Sequence, residues 1–220
     1  MTAEKFSISE AIRFGWNTMK SNLGFFIGLL IVVWLLYTIS SILADKATEA
    51  NILLGIIFHS ADLILTIIIS IGLVKISLRF CDNEKGRFAD LFSQYTLFFK
   101  YLVGSILYGL IVFAGTILLI IPGIIWGIQF CFYDYFIVDK GLGPIEALKR
   151  SSAITRGVKW DLFVFFLILL GINLLGALCL LIGLFATIPT TMVAIAFVYR
   201  KLLAQAETVQ VSETSLEEGE

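Results

Sequence analysis

The 220 residues are 59% apolar and 15% charged, with a mean hydropathy of +0.95 and a formal net charge of −1. A soluble domain carries about 25% charged residues, so this composition excludes a water-exposed globular fold, and nothing in it points to a nucleic-acid partner. The near-neutral charge hides an asymmetry: without the five glutamates that follow Leu203 (Glu207, Glu213, Glu217, Glu218, Glu220) the rest stands at net +4, a basic body with an acidic tail.

Residues 7–20 place Ile8, Ala11, Ile12, Trp16 and Met19 at helical spacing, with Glu10, Arg13, Asn17 and Lys20 opposite. This pattern predicts an amphipathic helix in the headgroup region, Trp16 at interface depth. The first apolar run, Leu23 to about Leu43, is longer than a signal-peptide core and lies behind that helix, which predicts a retained span rather than a cleaved signal. Gly24 and Gly28, four apart, would let a neighbouring helix approach closely. The polar loop 44–51 leads to a second span, about Ile52 to Ile76, which exits through Lys75, Arg79, Lys85 and Arg87.

Residues 87–100 again read as an amphipathic helix, with Phe88, Leu91, Phe92, Tyr95, Phe98 and Phe99 on one face. A third span runs from about Tyr101 to Ile121 and stops at Pro122-Gly123; the fourth, Gly123 to Val138, is short at about 24 Å. The turn Gly141 to Pro144 opens a cationic helix over 144–156. A fifth span, about Leu162 to Leu181, and a sixth, ending at Arg200-Lys201, are separated by breaks at Gly183 and Pro189.

The reading is an all-α integral membrane protein of six transmembrane helices with cytoplasmic amphipathic interfacial helices. Residues 1–22 form an interfacial helix, 23–203 the six-span domain, and 204–220 an acidic disordered cytoplasmic tail. Of the sixteen Lys and Arg residues, all but Lys46 fall on one side if the odd loops face away. The positive-inside rule then places both termini in the cytoplasm of a prokaryotic cell whose inner membrane the chain crosses. Glu10-Ala11-Ile12-Arg13, Ala89-Asp90-Leu91-Phe92 and Glu146-Ala147-Leu148-Lys149 each precede an odd span, which suggests a threefold repeat of leading helix plus hairpin.

One further pattern carries a likeness: Pro122-Gly123, the aromatic-rich run Phe130, Phe132, Tyr133, Tyr135, Phe136, then Val138-Asp139, Gly143-Pro144, Glu146-Ala147-Leu148 and Ser151-Ser152. It resembles the glycerophosphoryl diester phosphodiesterase membrane-domain families and the related YciC-like families of prokaryotic six-span proteins, over about residues 5–203. The resemblance implies a membrane domain with cytoplasmic interfacial helices. Where such domains belong to an enzyme, the chemistry lies in a separate catalytic domain that these residues do not contain, so it implies no catalytic residue here.

Polar residues inside the spans are the candidate chemistry. Gly55, His59, Asp62, Thr66 and Ser70 recur at steps of four, three, four and four and share one face of the second span. An unpaired carboxylate at mid-span costs about 2.5–3.5 kcal/mol and must face protein or water. His59, Asp62 and Thr66, with Asn173 of the fifth span, are therefore either an interhelical hydrogen-bond node or the lining of a proton- or cation-coupled site. Asp134, near Asp139, is expected to pair with Lys149, Arg150 or Arg156, and Asp161 to sit at a helix start favoured by the dipole. Lys149, Arg150, Arg156 and Lys159 form a candidate site for anionic phospholipid headgroups, each worth about 1 kcal/mol near the surface, although topology alone would also call for them.

Enzymatic motifs are absent. One histidine and three unspaced cysteines (Cys81, Cys131, Cys179) offer neither a metal site nor a disulfide framework, and no nucleophile elbow or phosphate loop occurs. The expectation is a non-enzymatic accessory or organising protein without a cofactor, acting through lipid, a membrane-protein partner or a second copy of itself. A small transporter or permease-like carrier using the face around Asp62 is the alternative.

Overall fold

The computed structural model describes residues 6–179 and 182–217, and the side chains up to residue 208. Nine α-helices and no strand occur among them: α1 Ile8–Ser21, α2 Leu23–Ala50, α3 Ile52–Cys81, α4 Phe98–Leu118, α5 Ile120–Gln129, α6 Tyr133–Lys140, α7 Pro144–Ile154, α8 Lys159–Leu178 and α9 Leu184–Glu217. Six helical stretches among the described residues are long and apolar enough to cross a bilayer; the third includes two 3-10 turns ahead of α4, and the fourth is α5 and α6 together. Only helices and closed barrels satisfy their own backbone in hydrocarbon, and this chain uses helices.

The first helix is capped by Ser7, whose hydroxyl accepts from the Glu10 amide at 3.2 Å. Its apolar face lies along α9: Phe14 stacks on Phe197 with ring centroids 4.7 Å apart, and Glu10 reaches Lys201 at 3.3 Å. Gly15 is what permits the approach, because a Cβ there would run into the Thr190 carbonyl oxygen. α2 and α3, of 28 and 30 residues, extend about 42 and 45 Å and exceed a hydrocarbon core of about 30 Å. They pair along their length, with Gly55 against Thr48 near the tip.

The amphipathic helix expected over 87–100 does not form. Two 3-10 turns, Phe88–Leu91 and Tyr95–Leu97, take its place before α4 begins at Phe98. Asp90 is the reason: its carboxylate takes both Arg79 Nη1 contacts, at 2.7 and 2.8 Å, and the Arg87 amide at 2.9 Å, fixing a tight turn over α3.

Breaks also fall elsewhere than at the prolines. The third span ends at the extended residue Leu119, and Pro122 occupies the first turn of α5, where an amide would be unbonded in any case. The fourth stretch thus gains residues ahead of the proline and reaches Lys140. Pro189 lies inside α9 rather than between helices. Helix α9 continues past Leu203 to Glu217, through the region whose composition suggested a disordered tail. Ala204, Gln205, Ala206 and Glu207 are good helix formers, and Glu207 meets Lys140 at 3.4 Å.

Packing around α6 is close. Tyr133, Tyr135, Phe136, Ile137 and Val138 are all buried, and Tyr199 of α9 sits among Phe132, Tyr135 and Phe136. Without a hydrophobic drive between helices in lipid, such contacts hold through close packing and polar links.

Candidate functional site

The fourth membrane-spanning stretch is interrupted in its middle. Helix α5 ends at Gln129, α6 starts at Tyr133, and residues 130–132 between them leave the Gln129 carbonyl and the Phe132 amide without partners in the helical ladder. Helix α7 supplies the partners. Ser151 Oγ accepts from the Phe132 amide at 3.0 Å and donates to the Gln129 carbonyl at 3.1 Å, and Thr155 Oγ1 donates to the same carbonyl at 3.0 Å. The Gln129 side chain continues the link: its Nε2 donates to Ser152 Oγ at 2.7 Å, and its Oε1 accepts from Lys159 Nζ at 2.5 Å. One residue therefore joins α5, α7 and the first turn of α8. Gly141 and Gly157, at φ +63° and +87°, make the reversals on either side of α7.

Beside this junction lies an apolar groove of 380 Å³. Ile124, Gly127 and Ile128 of α5, Cys131, and Phe163, Phe166, Leu167 and Leu170 of α8 form its walls, with Tyr108 of α4 behind. The Tyr108 hydroxyl is used up on the Gly127 carbonyl at 3.1 Å.

Of the four basic residues singled out from the sequence, only Lys159 touches this junction. Lys149, Arg150 and Arg156 are exposed and make no ion pair among the described residues, while Lys159 is half-buried on Gln129. The Asp134 partnership expected for them is not formed. Its Oδ1 accepts from the Tyr135 amide at 2.9 Å, and its neighbours are Tyr101, Tyr108 and Tyr133. Position explains the difference: Asp134 starts α6 and faces the bundle, whereas Asp139, five residues on, emerges at its end. Asp139 takes Arg200 at 2.8 Å and the Tyr199 hydroxyl at 3.1 Å, and Arg200 also holds Asp82 at 2.6 Å.

The stripe on α3 is only partly drawn together. His59 is exposed and reaches Thr48 Oγ1 with Nε2 at 3.4 Å. Asp62 is half-buried, and its Oδ1 is buried with no hydrogen-bond partner. The Thr66 carbonyl accepts from Ser70 at 2.9 Å, and Tyr37 of α2 faces both Ser70 and Asp62. Asn173 stands apart: its Nδ2 donates to Leu169 O at 3.1 Å and Thr191 Oγ1 at 3.4 Å, joining α8 to α9. No cluster of three or more His, Cys, Asp or Glu able to hold a metal occurs among the described residues.

Sequence reading did not single out Gln129, Thr155 or the groove. Gln129 was legible in principle, as a lone amide in the apolar run 119–133; its break carries neither proline nor glycine.

A family model described as "Protein of unknown function (DUF975)" matches residues 105–206, the part that contains the interrupted span, α7 and the groove. Proteins from Mycobacterium bovis (Uncharacterized protein Mb2590) and Mycobacterium tuberculosis (Uncharacterized protein Rv2560) are each 25% identical over 224 residues, covering 90% of this chain and 69% of theirs. No solved structure matches. The chain is thus similar over residues 105–206 to a family of unknown function, and more distantly along most of its length to uncharacterised mycobacterial proteins.

Proposed function

We propose that this is a non-enzymatic protein of the prokaryotic cytoplasmic membrane, with both termini cytoplasmic, that organises its surroundings by holding anionic phospholipid headgroups. One observation carries the reading: α7 and its capping Thr155 are tied to the interrupted span through Ser151, Ser152 and Thr155, while Lys149 and Arg150 of α7 and Arg156 just after it are exposed and make no ion pair among the described residues. Fixed, unneutralised cations at the membrane surface attract anionic lipid at about 1 kcal/mol apiece. The charge distribution supports the orientation, since fifteen of the sixteen Lys and Arg residues fall on one side if the odd loops face away. The order of elements, a leading segment and then a hairpin three times over, supports a parallel threefold plan.

Native mass spectra of the protein released from mixed phosphatidylglycerol and phosphatidylcholine bilayers test it. Phosphatidylglycerol should be retained preferentially, and replacing Lys149, Arg150 and Arg156 by Gln should abolish the preference. Unchanged retention would sink the reading.

A second reading, a carrier for a lipid or small solute, draws on the partnerless Asp62 Oδ1. Proton-linked uptake by reconstituted vesicles, lost in Asp62→Asn, would favour it.

A further inference from the structure

The groove and the Gln129–Lys159 pair are neighbours in the chain. Ile128 lines the groove and Gln129 adjoins it; Phe163 lines the opposite wall and lies one helical turn from Lys159, whose ammonium is on Gln129. The groove is thus apolar along its walls, the bonded pair Gln129 and Lys159 follows next in the chain at one end, and Arg156, three residues before Lys159, is exposed. From Phe163 to Leu170 its α8 wall runs about 10 Å at 1.5 Å per residue.

The lining and its setting point to the occupant. Large apolar side chains (Ile124, Phe163, Leu167, Leu170) dominate the walls, with Gly127 and Cys131 as the small residues among them, and the walls belong to the fourth and fifth stretches apolar enough to cross a bilayer. A flexible hydrocarbon chain suits such a slot, and the cation one helical turn before Phe163, Lys159, complements a negative headgroup at that end.

We propose that the α5–α8 groove receives an acyl chain of an anionic phospholipid, whose phosphate is held at the Lys159–Gln129 end by Lys159 and Arg156. This rests on the headgroup reading above and sharpens it from a surface attraction to a built site for one lipid. The Lys159 ammonium has two N–H donors left after its bond to Gln129, and a guanidinium such as Arg156 engages a phosphate in bidentate fashion. Trp160, exposed and stacked on Phe163 with ring centroids 5.4 Å apart, stands at the rim, at the depth where tryptophan meets glycerol and headgroup.

The experiment uses the full chain in phosphatidylcholine vesicles carrying a minor fraction of phosphatidylglycerol with a photoactivatable diazirine on its acyl chain. After irradiation, adducts are mapped by peptide mass spectrometry. Labelling should be several-fold denser on 123–131 and 163–170 than on the exposed apolar residues 52–64. It should fall several-fold in Leu167→Trp, which fills the groove from its exposed rim, and in the double variant Arg156→Gln, Lys159→Gln. Labelling of 52–64 should not change in either, which also reports that the variants fold. Labelling spread evenly over all exposed apolar helices would overturn the inference while leaving preferential phosphatidylglycerol retention, and so the headgroup reading, intact. Dense groove labelling by a phosphatidylcholine probe of the same chain would instead overturn the anionic selectivity on which both depend. A disulfide-linked dimer through Leu170→Cys that excludes the probe would assign the groove to a second copy and also refute the proposal.

Discussion

Ser151 Oγ lies 3.0 Å from the Phe132 amide and 3.1 Å from the Gln129 carbonyl, so a single hydroxyl bridges both ends of a broken membrane helix. The bridge replaces what a helical ladder would have supplied. Its loss is correspondingly costly, because it leaves a buried backbone amide without a partner.

Ser151→Ala should lower stability by about 1–3 kcal/mol, the penalty for leaving a buried donor unsatisfied. Thermal or denaturant unfolding in detergent micelles measures it. Thr155→Val removes a second donor to the same carbonyl, and the double variant should lose more than the sum of the two, since either hydroxyl alone keeps the Gln129 carbonyl bonded and only their joint loss orphans it. Strict additivity would contradict a shared acceptor.

Gln129→Leu removes the acceptor of Lys159 and the donor of Ser152 in one step. Stability should fall by about 1–3 kcal/mol. More telling is the direction of rescue: adding Lys159→Met to Gln129→Leu should recover part of the loss, because the cation no longer lacks its buried partner. No recovery would show that the bond contributes little.

Arg200 joins three segments by meeting Asp82 and Asp139 at once. Arg200→Lys should destabilise nearly as much as Arg200→Gln, by about 1–2 kcal/mol, since one ammonium cannot span two carboxylates and the partly exposed site is softened by solvent. Unfolding midpoints of the two variants within a few degrees of each other are the expected result; a wild-type value for the lysine variant would argue that charge alone suffices.

Gly15→Ala drives a methyl group into the Thr190 carbonyl and should push α1 off α9, at about 1–3 kcal/mol. Gly24 and Gly171 meet nothing within 4 Å, and alanine there should be neutral or mildly stabilising. Limited proteolysis of the N-terminal helix distinguishes these outcomes: rapid cleavage is expected in the first variant and parent-like resistance in the others.

Asp62 offers the sharpest separation of roles. With Oδ1 buried and unpartnered, Asp62→Asn exchanges the carboxyl for an amide of the same shape and should leave stability unchanged or slightly raised. Loss of a proton-linked flux in the same variant would turn attention from lipid holding to transport.

What the sequence discloses depends on how local its cause is. The spans are legible because twenty apolar residues between charges have few other uses in a cell, and the corner at Gly141–Pro144 because glycine and proline restrict their own backbone. The break at 130–132 is hidden because its cause is remote: Ser151 and Thr155, some twenty residues on, make an unladdered backbone tolerable. The 3-10 turns before α4 depend in the same way on Arg79 across the fold. Pro122 and Pro189 mislead for the opposite reason, being local signals that helix starts and tertiary context absorb. The groove could not be read at all, since its walls lie on helices whose facing residues only the packing decides.

The bridging hydroxyl also sets a timetable for biogenesis. Ser151 follows Phe132 by nineteen residues, so the fourth span leaves the ribosome well before its cap is made. Until α7 has been synthesised and folded back against it, the Gln129 carbonyl and the Phe132 amide lack the partners they hold in the finished fold, so the two segments complete their structure together.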